Sequence, residues 1–339
     1  MPRPIFATQR WTNLSAYPER EADVTMPELG STPGLPIAKS RKRGVLGPLR
    51  EPLFRSLWIA AVVSYTGTWM QNVGAGWLMA SLTMSPLMVG LVQAAYSIAV
   101  FLVILPAGAI ADMVDRRKLL LVTQSWMVLA AAALGVLTLA GKVTPSLLLL
   151  FTFMMGIGAV LNDPAWQAIT PEIVSQENFA AGVALNSAGF NVARAIGPAV
   201  GGLVIAAFNS GIAFLLNAAS FFGVIYFLYC WKRKPHNGRF RLQGMNAATL
   251  QGLRHLRRSP AMQGVLVRSA AFGVPGSALL AMLPLLAHPF GSQGYGLLLG
   301  VFGLGALAGA AVMPVLRRSL SVDQLVASST VVFALATAA

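Results

Sequence analysis

The chain has 339 residues, 56% of them hydrophobic and 11% charged, with a formal net charge of +14 and a mean hydropathy of +0.67. Soluble domains carry roughly 25% charged residues, so this balance excludes an ordinary soluble protein and predicts an all-α integral membrane protein. A run of about 20 apolar residues crosses a hydrocarbon core of roughly 30 Å as a helix, and a helix satisfies its own backbone groups in lipid. The alternating segments of about ten residues that build a barrel are missing. The single cysteine, Cys230, excludes an internal disulfide framework and reads as a small apolar residue at a helix end. With only three histidines, no metal or other cofactor site is expected.

Residues 1–48 are rich in proline, glycine and polar residues and are predicted to form a disordered cytoplasmic tail. The first apolar run begins near Ser56, so no secretory signal peptide is expected. Apolar spans follow at 56–80, 86–108, 119–140, 146–164, 181–207, 211–231, 263–287, 294–315 and from 323 to the end. Six spans fill a segment 49–231. A basic cytoplasmic linker, 232–262, separates it from an incomplete group of about three spans, 263–339. The last span stops at "VVFALATAA" with no flanking charge or aromatic anchor, so the chain is expected to be unfinished.

Lysine and arginine gather on the cytoplasmic side of membrane proteins. Here they lie before span 1, after span 2 (Arg116, Arg117, Lys118), in the linker, and after span 8 (Arg317, Arg318). The opposite connectors carry Lys142 alone, and the connector after span 4 holds Glu172 and Glu177 but no base. The N-terminus is therefore predicted to be cytoplasmic, and the positive charge is explained without nucleic acid. The linker piece "LQGLRHLRRSP" reads either as an amphipathic segment on the anionic leaflet or as a solvated loop.

The connector "GAIADMVDRRKLLL" concentrates charge between two apolar stretches. A cytoplasmic anchor explains Arg116, Arg117 and Lys118. It does not explain Asp112 and Asp115, nor Gly108 four residues before Asp112, where a second helix would come close. The alternative is a structural switch. On span 5, "RAIGPAVGGLV" sets Gly197, Pro198, Gly201 and Gly202 as small or bending residues against a partner backbone.

Both stretches resemble motifs of the major facilitator superfamily. The second is similar to the fifth-helix motif of its exporters, and "PAWQAITPEIV" and "ALNSAGFNVARAIGP" resemble the branch of siderophore and macrolide efflux proteins. The resemblance, from Leu49 to the last residue, implies a major facilitator-type bundle with about nine of twelve transmembrane helices present. It further implies a bacterial inner-membrane location and a charge relay in which Gly108, Asp112, Asp115, Arg116, Arg117 and Lys118 gate the inner side. In the family that aspartate works against an eleventh helix, which this chain does not reach. Thr152 stands where many proton-coupled relatives carry an arginine on helix 4, so proton coupling is an expectation of the family alone.

Ionisable and polar groups at membrane depth are costly and mark a pathway. Arg194 and Asn191 share a face of span 5. Asp163 lies toward the end of span 4, where it pairs with Arg194 if the two spans pack together. Gln71 and Asn72 in span 1, and Gln93 with Tyr96 in span 2, complete the candidate lining. No catalytic constellation and no phosphate-cradling loop occurs, so an enzyme is not expected. The expected function is secondary export of an amphipathic small molecule by alternating access, with the bilayer, that substrate and protons as partners. The alternative is a truncated membrane protein that transports nothing and acts as an assembly partner or a degenerate fragment.

Overall fold

The computed structural model describes residues 46–231 and 259–338. The predicted tail lies outside these residues up to position 45, and the predicted linker lies outside them from 232 to 258. Among the described residues there are nine α-helices and no strand. They are α1 (Pro52–Leu82), α2 (Pro86–Met113), α3 (Arg116–Leu139), α4 (Pro145–Ile173), α5 (Phe179–Ala207), α6 (Ser210–Cys230), α7 (Pro260–Leu286), α8 (Gly291–Ser319) and α9 (Val322–Ala338).

Local chemistry sets the helix starts. Pro52, Pro86, Pro145 and Pro260 open α1, α2, α4 and α7, where the missing N–H is no loss and the fixed φ already suits a helix. Thr144 accepts from the Leu147 amide and Asn209 from the Ile212 amide, capping α4 and α6. Prolines also lie inside α2, α4, α5 and α8, a burden that membrane helices tolerate because their neighbours re-satisfy the freed carbonyls.

Seven helices, α2 to α8, are long and apolar enough to cross a membrane; α9 is apolar but shorter. The exception among the long helices is α1. At about 1.5 Å per residue its 31 residues cover the distance easily, but Ser64, Tyr65, Thr68, Gln71 and Asn72 lower its apolarity. All five face a cavity rather than lipid.

The first six helices pack as a bundle in which α1 lies against α5 and α6, α3 against α4 and α6, and α2 against α4. Two apolar clusters close its ends. Phe54, Leu57, Leu120, Ile169 and Leu228 fill the end that holds the starts of α1, α3 and α5, called here the basic end. Met79, Val89, Leu134, Leu148 and Phe214 fill the opposite, distal end. Helix α7 packs on α2 and α8 on α5, while α9 touches α7 through Phe272 and Phe333, with ring centroids 5.3 Å apart. Arg268 of α7 also pairs with Asp323 of α9.

Lipid removes the hydrophobic drive between helices, so close van der Waals packing has to hold them. The α5 glycines supply it on two faces. A Cβ on Gly197 would sit 2.6 Å from Trp69 Cβ, and one on Gly201 2.9 Å from Met70 Cα, so these two seat α5 on α1. A Cβ on Gly202 would sit 2.6 Å from Gly296 Cα, and one on Gly303 2.6 Å from Ala195 Cα, so α5 and α8 meet backbone to backbone. Pro198 is buried in the same stretch.

Contacts between α7–α8 and the six-helix bundle gather on the distal side. Gly76 faces Tyr295 and Pro284, Gly90 faces Met282, and Trp77 stacks on His288 with centroids 5.6 Å apart. On α5 they run from Gly202 back to Arg194. Nearer the basic end, Phe190, Asn191 and Phe179 are exposed, and a Cβ on Gly108 would meet nothing within 4 Å.

Replacing Gly202 by alanine is expected to destabilise the purified chain by about 1–3 kcal/mol through overpacking against Gly296. Gly305→Ala, where a Cβ meets nothing within 4 Å, is expected to be neutral or to raise stability by up to about 1 kcal/mol through helix propensity. Thermal unfolding of both variants in one detergent checks the opposite signs.

Candidate functional site

Between the two apolar clusters of the six-helix bundle lies a cavity of about 220 Å³. Every one of its six helices contributes to the wall: Gln71 and Asn72 from α1, Tyr96 from α2, Gln124 from α3, Asp163 from α4, Phe190 from α5 and Phe221 from α6. Polar groups in the wall are mostly committed to one another. Asn217 donates to Gln71 Oε1. Thr123 and Gln124 both donate to Asn162 Oδ1, at 3.2 and 3.1 Å. These pairings keep the amides from facing lipid, where an unmet polar group costs several kcal/mol.

Among the described residues of that wall, Asp163 carries the one acidic side chain. The sequence places it toward the end of its span, but α4 continues through Pro164 and Pro171 to Ile173. Asp163 therefore stands roughly 15 Å from the helix end, at 1.5 Å per residue, near the middle of a bilayer about 30 Å thick. The polar residues Asn162, Asp163 and Gln167, where the apolar run ends in the sequence, face cavities.

A second cavity, of about 660 Å³, shares Tyr65, Asp163, Trp166 and Phe190 with the first. It runs between α4 and α5 toward the basic end, past Thr170, Asn186 and Asn191 to Phe179. Tyr65 stands edge-on to both Trp166 and Phe190, with centroids 6.3 and 5.3 Å apart.

Arg194 takes another direction. Its guanidinium lies 5.5 Å from the Trp69 ring centroid, in a third cavity of about 230 Å³ with Gln93, Pro198, Ser277 and Phe302. No ion pair joins it to Asp163: α4 and α5 make little contact, and the two groups line different cavities. The structure thus brings Gln71, Asn72, Tyr96 and Asp163 together in one cavity, puts Asn191 in its extension, and sets Gln93 with Arg194 apart.

The charged connector after α2 is tied down within the bundle. Asp115 caps α3 by accepting from the Lys118 amide at 3.1 Å. Arg116 pairs with Glu172 at 2.9 Å and also donates to the Ala168 carbonyl. Arg117 donates to the Leu228 and Tyr229 carbonyls at 2.6 and 2.7 Å, so a cation meets the negative end of the α6 dipole and its open carbonyls. Lys118 is exposed. Asp112 lies in the last turn of α2, and its side chain is outside the described part of the structure.

Sequence reading missed Glu51 and Gln124. Glu51 accepts from Ser175 and from Asn178 Nδ2, the latter at 2.7 Å, which fastens the start of α1 to the α4–α5 connector. The acid next to the proline that opens the span was the available signal. Gln124 carried none beyond being an amide in an apolar run.

Helices antiparallel in succession, six of them around a polar cavity and others packed on α2 and α5, define a membrane protein of the major facilitator fold. Residues 43–339 match the transmembrane secretion effector family, and the chain belongs to it. It is 24% identical over 280 residues to the staphyloferrin A transporter of Staphylococcus aureus, covering 80% of this chain and 69% of that protein. It is 27% identical over 285 residues to the enterobactin exporter EntS of Salmonella typhimurium, covering 83% of this chain and 68% of that one. Among solved structures it resembles a bacterial homolog of the human lysosomal transporter Spinster in an inward-facing, unoccupied conformation. There the TM-score is 0.62 at 16% identity, over 80% of this chain. The chain spans 64% of the length of that structure. The family and these relatives are transporters, not enzymes.

Arg117→Gln is expected to loosen the end of α6. Losing a charged cap of about 1 kcal/mol should speed amide exchange at Leu228 to Cys230 about fivefold, read by hydrogen exchange with mass spectrometry, while the α3 amides keep their protection.

Proposed function

We propose that this protein is a secondary transporter that exports an amphipathic small molecule from the bacterial cytoplasm by alternating access. The N-terminus and the basic end face the cytoplasm. The carrying observation is the asymmetry of the packing: α7 and α8 meet the six-helix bundle on the distal side, while polar cavities around Asp163 widen toward the basic end. An arrangement closed at one end and reachable from the other is one of the two states that alternating access requires. The relatives that carry siderophores make a siderophore-like molecule a candidate cargo, and the proton gradient is the candidate driving force.

In this reading substrate enters past Asn186 and Asn191 and settles among Gln71, Asn72, Tyr96 and Asp163 near the membrane midplane. Arg194 and Gln93 line a neighbouring compartment between the bundle and α7–α8. Opening the distal side requires Trp77 to leave His288 and Tyr295, with Gly202 and Gly296 as the close contact about which α5 and α8 turn. Asp112 and the Arg116–Lys118 stretch gate the cytoplasmic side.

Inverted vesicles containing the whole protein, given dyes, macrolides and siderophores with and without an imposed pH gradient, test the reading. Gradient-dependent accumulation of at least one compound is the expected result; none with any compound refutes it. Asp112→Asn is expected to slow accumulation about tenfold or more, and export at the normal rate removes the gating role. In a Cys230→Ser background, cysteines at Gly238 and Lys142 are expected to label from opposite sides of intact cells, Lys142→Cys from outside.

A further inference from the structure

Asp163 forms no ion pair and accepts no hydrogen bond from any described residue, although Tyr65 and Tyr96 lie within its electrostatic reach. Its side chain is exposed to the cavities it lines rather than sealed in protein. A lone carboxylate near the bilayer midplane is costly unless a cation meets it. The basic side chain at comparable depth in the bundle, Arg194, is turned away over Trp69.

A second and independent observation lies in the same wall. Gln124 is 3% exposed, its amide nitrogen is committed to Asn162, and its Oε1 has no partner among the described residues. Buried acceptors are rarely left open, and each that is calls for a donor. The cavity therefore combines two unmet acceptors, one of them charged, with the aromatic rings of Tyr65, Trp166 and Phe190.

We propose that the cavity at Asp163 binds the protonated amino group of an amphipathic primary or secondary amine. The ammonium N–H groups meet Asp163 and Gln124 Oε1. The apolar body of the ligand lies along Tyr65, Trp166 and Phe190, whose ring faces also attract the cation. The class follows by exclusion. A carboxylate or phosphate ligand would be repelled by Asp163. A hard metal ion demands six or more oxygen ligands, which an aromatic wall does not offer, and no cluster of three or more His, Cys, Asp or Glu side chains occurs among the described residues. A quaternary ammonium has no N–H for Gln124. The cavity of about 220 Å³ takes a compact arylalkylamine, and its continuation into about 660 Å³ leaves room for longer ones.

This assignment rests on the transport reading for its biological use, but binding is measured without transport. Three probes share one scaffold: 4-phenylbutylammonium, 4-phenylbutan-1-ol and 4-phenylbutyrate. Each is titrated calorimetrically into the whole protein in detergent at neutral pH. The amine is expected to bind at least tenfold more tightly than the alcohol, and the carboxylate not at all. Asp163→Asn is expected to bring the amine down to the alcohol while leaving the alcohol unchanged, which also shows that the variant is folded. Asp163→Glu is expected to keep the amine within about threefold, and Gln124→Leu to weaken it several-fold. Equal binding of amine and alcohol, tighter binding of the carboxylate, or an Asp163→Asn protein that holds the amine like the parent overturns the proposal. So does loss of the amine in the Asn and Glu variants alike. Gradient-driven export of another compound with no amine binding removes this site and leaves the transport reading. Amine binding without movement of any compound does the reverse.

Discussion

The close seating of α5 between α1 and α8 is the contact on which the arrangement of the helices depends. Gly197 and Gly201 bring α5 against the Trp69 and Met70 backbone region of α1, while one residue on, Gly202 faces Gly296 of α8. Each pair is close enough that an added methyl has no room. Lipid offers no solvent gain for bringing two apolar helices together, so complementarity of this kind has to do it. Helix α5 is seated on α1 nearer the basic end as well, where a Cβ on Gly189 would sit 2.8 Å from Val62 and the Trp58 indole donates to the Leu185 carbonyl, but its contact with α8 runs over the distal part, from Gly202 back to Arg194. Its other part, from Phe179 to Asn191, borders a cavity.

That seating decides where polar groups reside. With α5 held to α1 and scarcely touching α4, the space between α4 and α5 remains open. Side chains that would be intolerable against lipid, Asp163 and Asn186 among them, have a place to face. The same logic accounts for α1. It is the long helix whose composition falls short of a membrane-spanning profile, and its polar residues turn inward to the cavity. The face of a helix that lines a polar cavity is released from the demand for apolarity that lipid imposes on outward faces, which on α1 carry Ile59 and Val63.

The number of helices and their order were legible because apolar runs of membrane length have few alternative explanations. Boundaries were less so where a helix continues through polar residues facing a cavity. At Asn162, Asp163 and Pro164 the hydropathy falls and a proline appears, both ordinary stop signals, yet α4 runs on to Ile173. Candidate lining residues could be chosen by polarity alone, and Gln71, Asn72, Tyr96 and Asp163 do meet in one cavity. Which of them face each other could not be read. The proximity of Arg194 to Trp69 and its separation from Asp163 depend on how α4 and α5 splay, a property of the packing and not of either span.

The basic connector serves both the membrane and the bundle. Positive charge on one side of the membrane needs no partners, and Arg116, Arg117 and Lys118 satisfy that demand by position alone. The structure gives two of them local work as well: Arg116 holds the end of α4 through Glu172, and Arg117 covers the open carbonyls of α6. Glu51 does the same for the start of α1. The basic end of the six-helix bundle is thereby laced through its own polar termini, α1 to the α4–α5 connector and α3 to α4 and α6. Breaking the lacing would strand charged groups and helix ends together, so this end of the bundle is held as a unit. The glycine seam of α5 and α8 and the aromatic stack around Trp77 hold the later helices by packing instead. Separating those surfaces would cost van der Waals contacts and break no ion pair among the described residues.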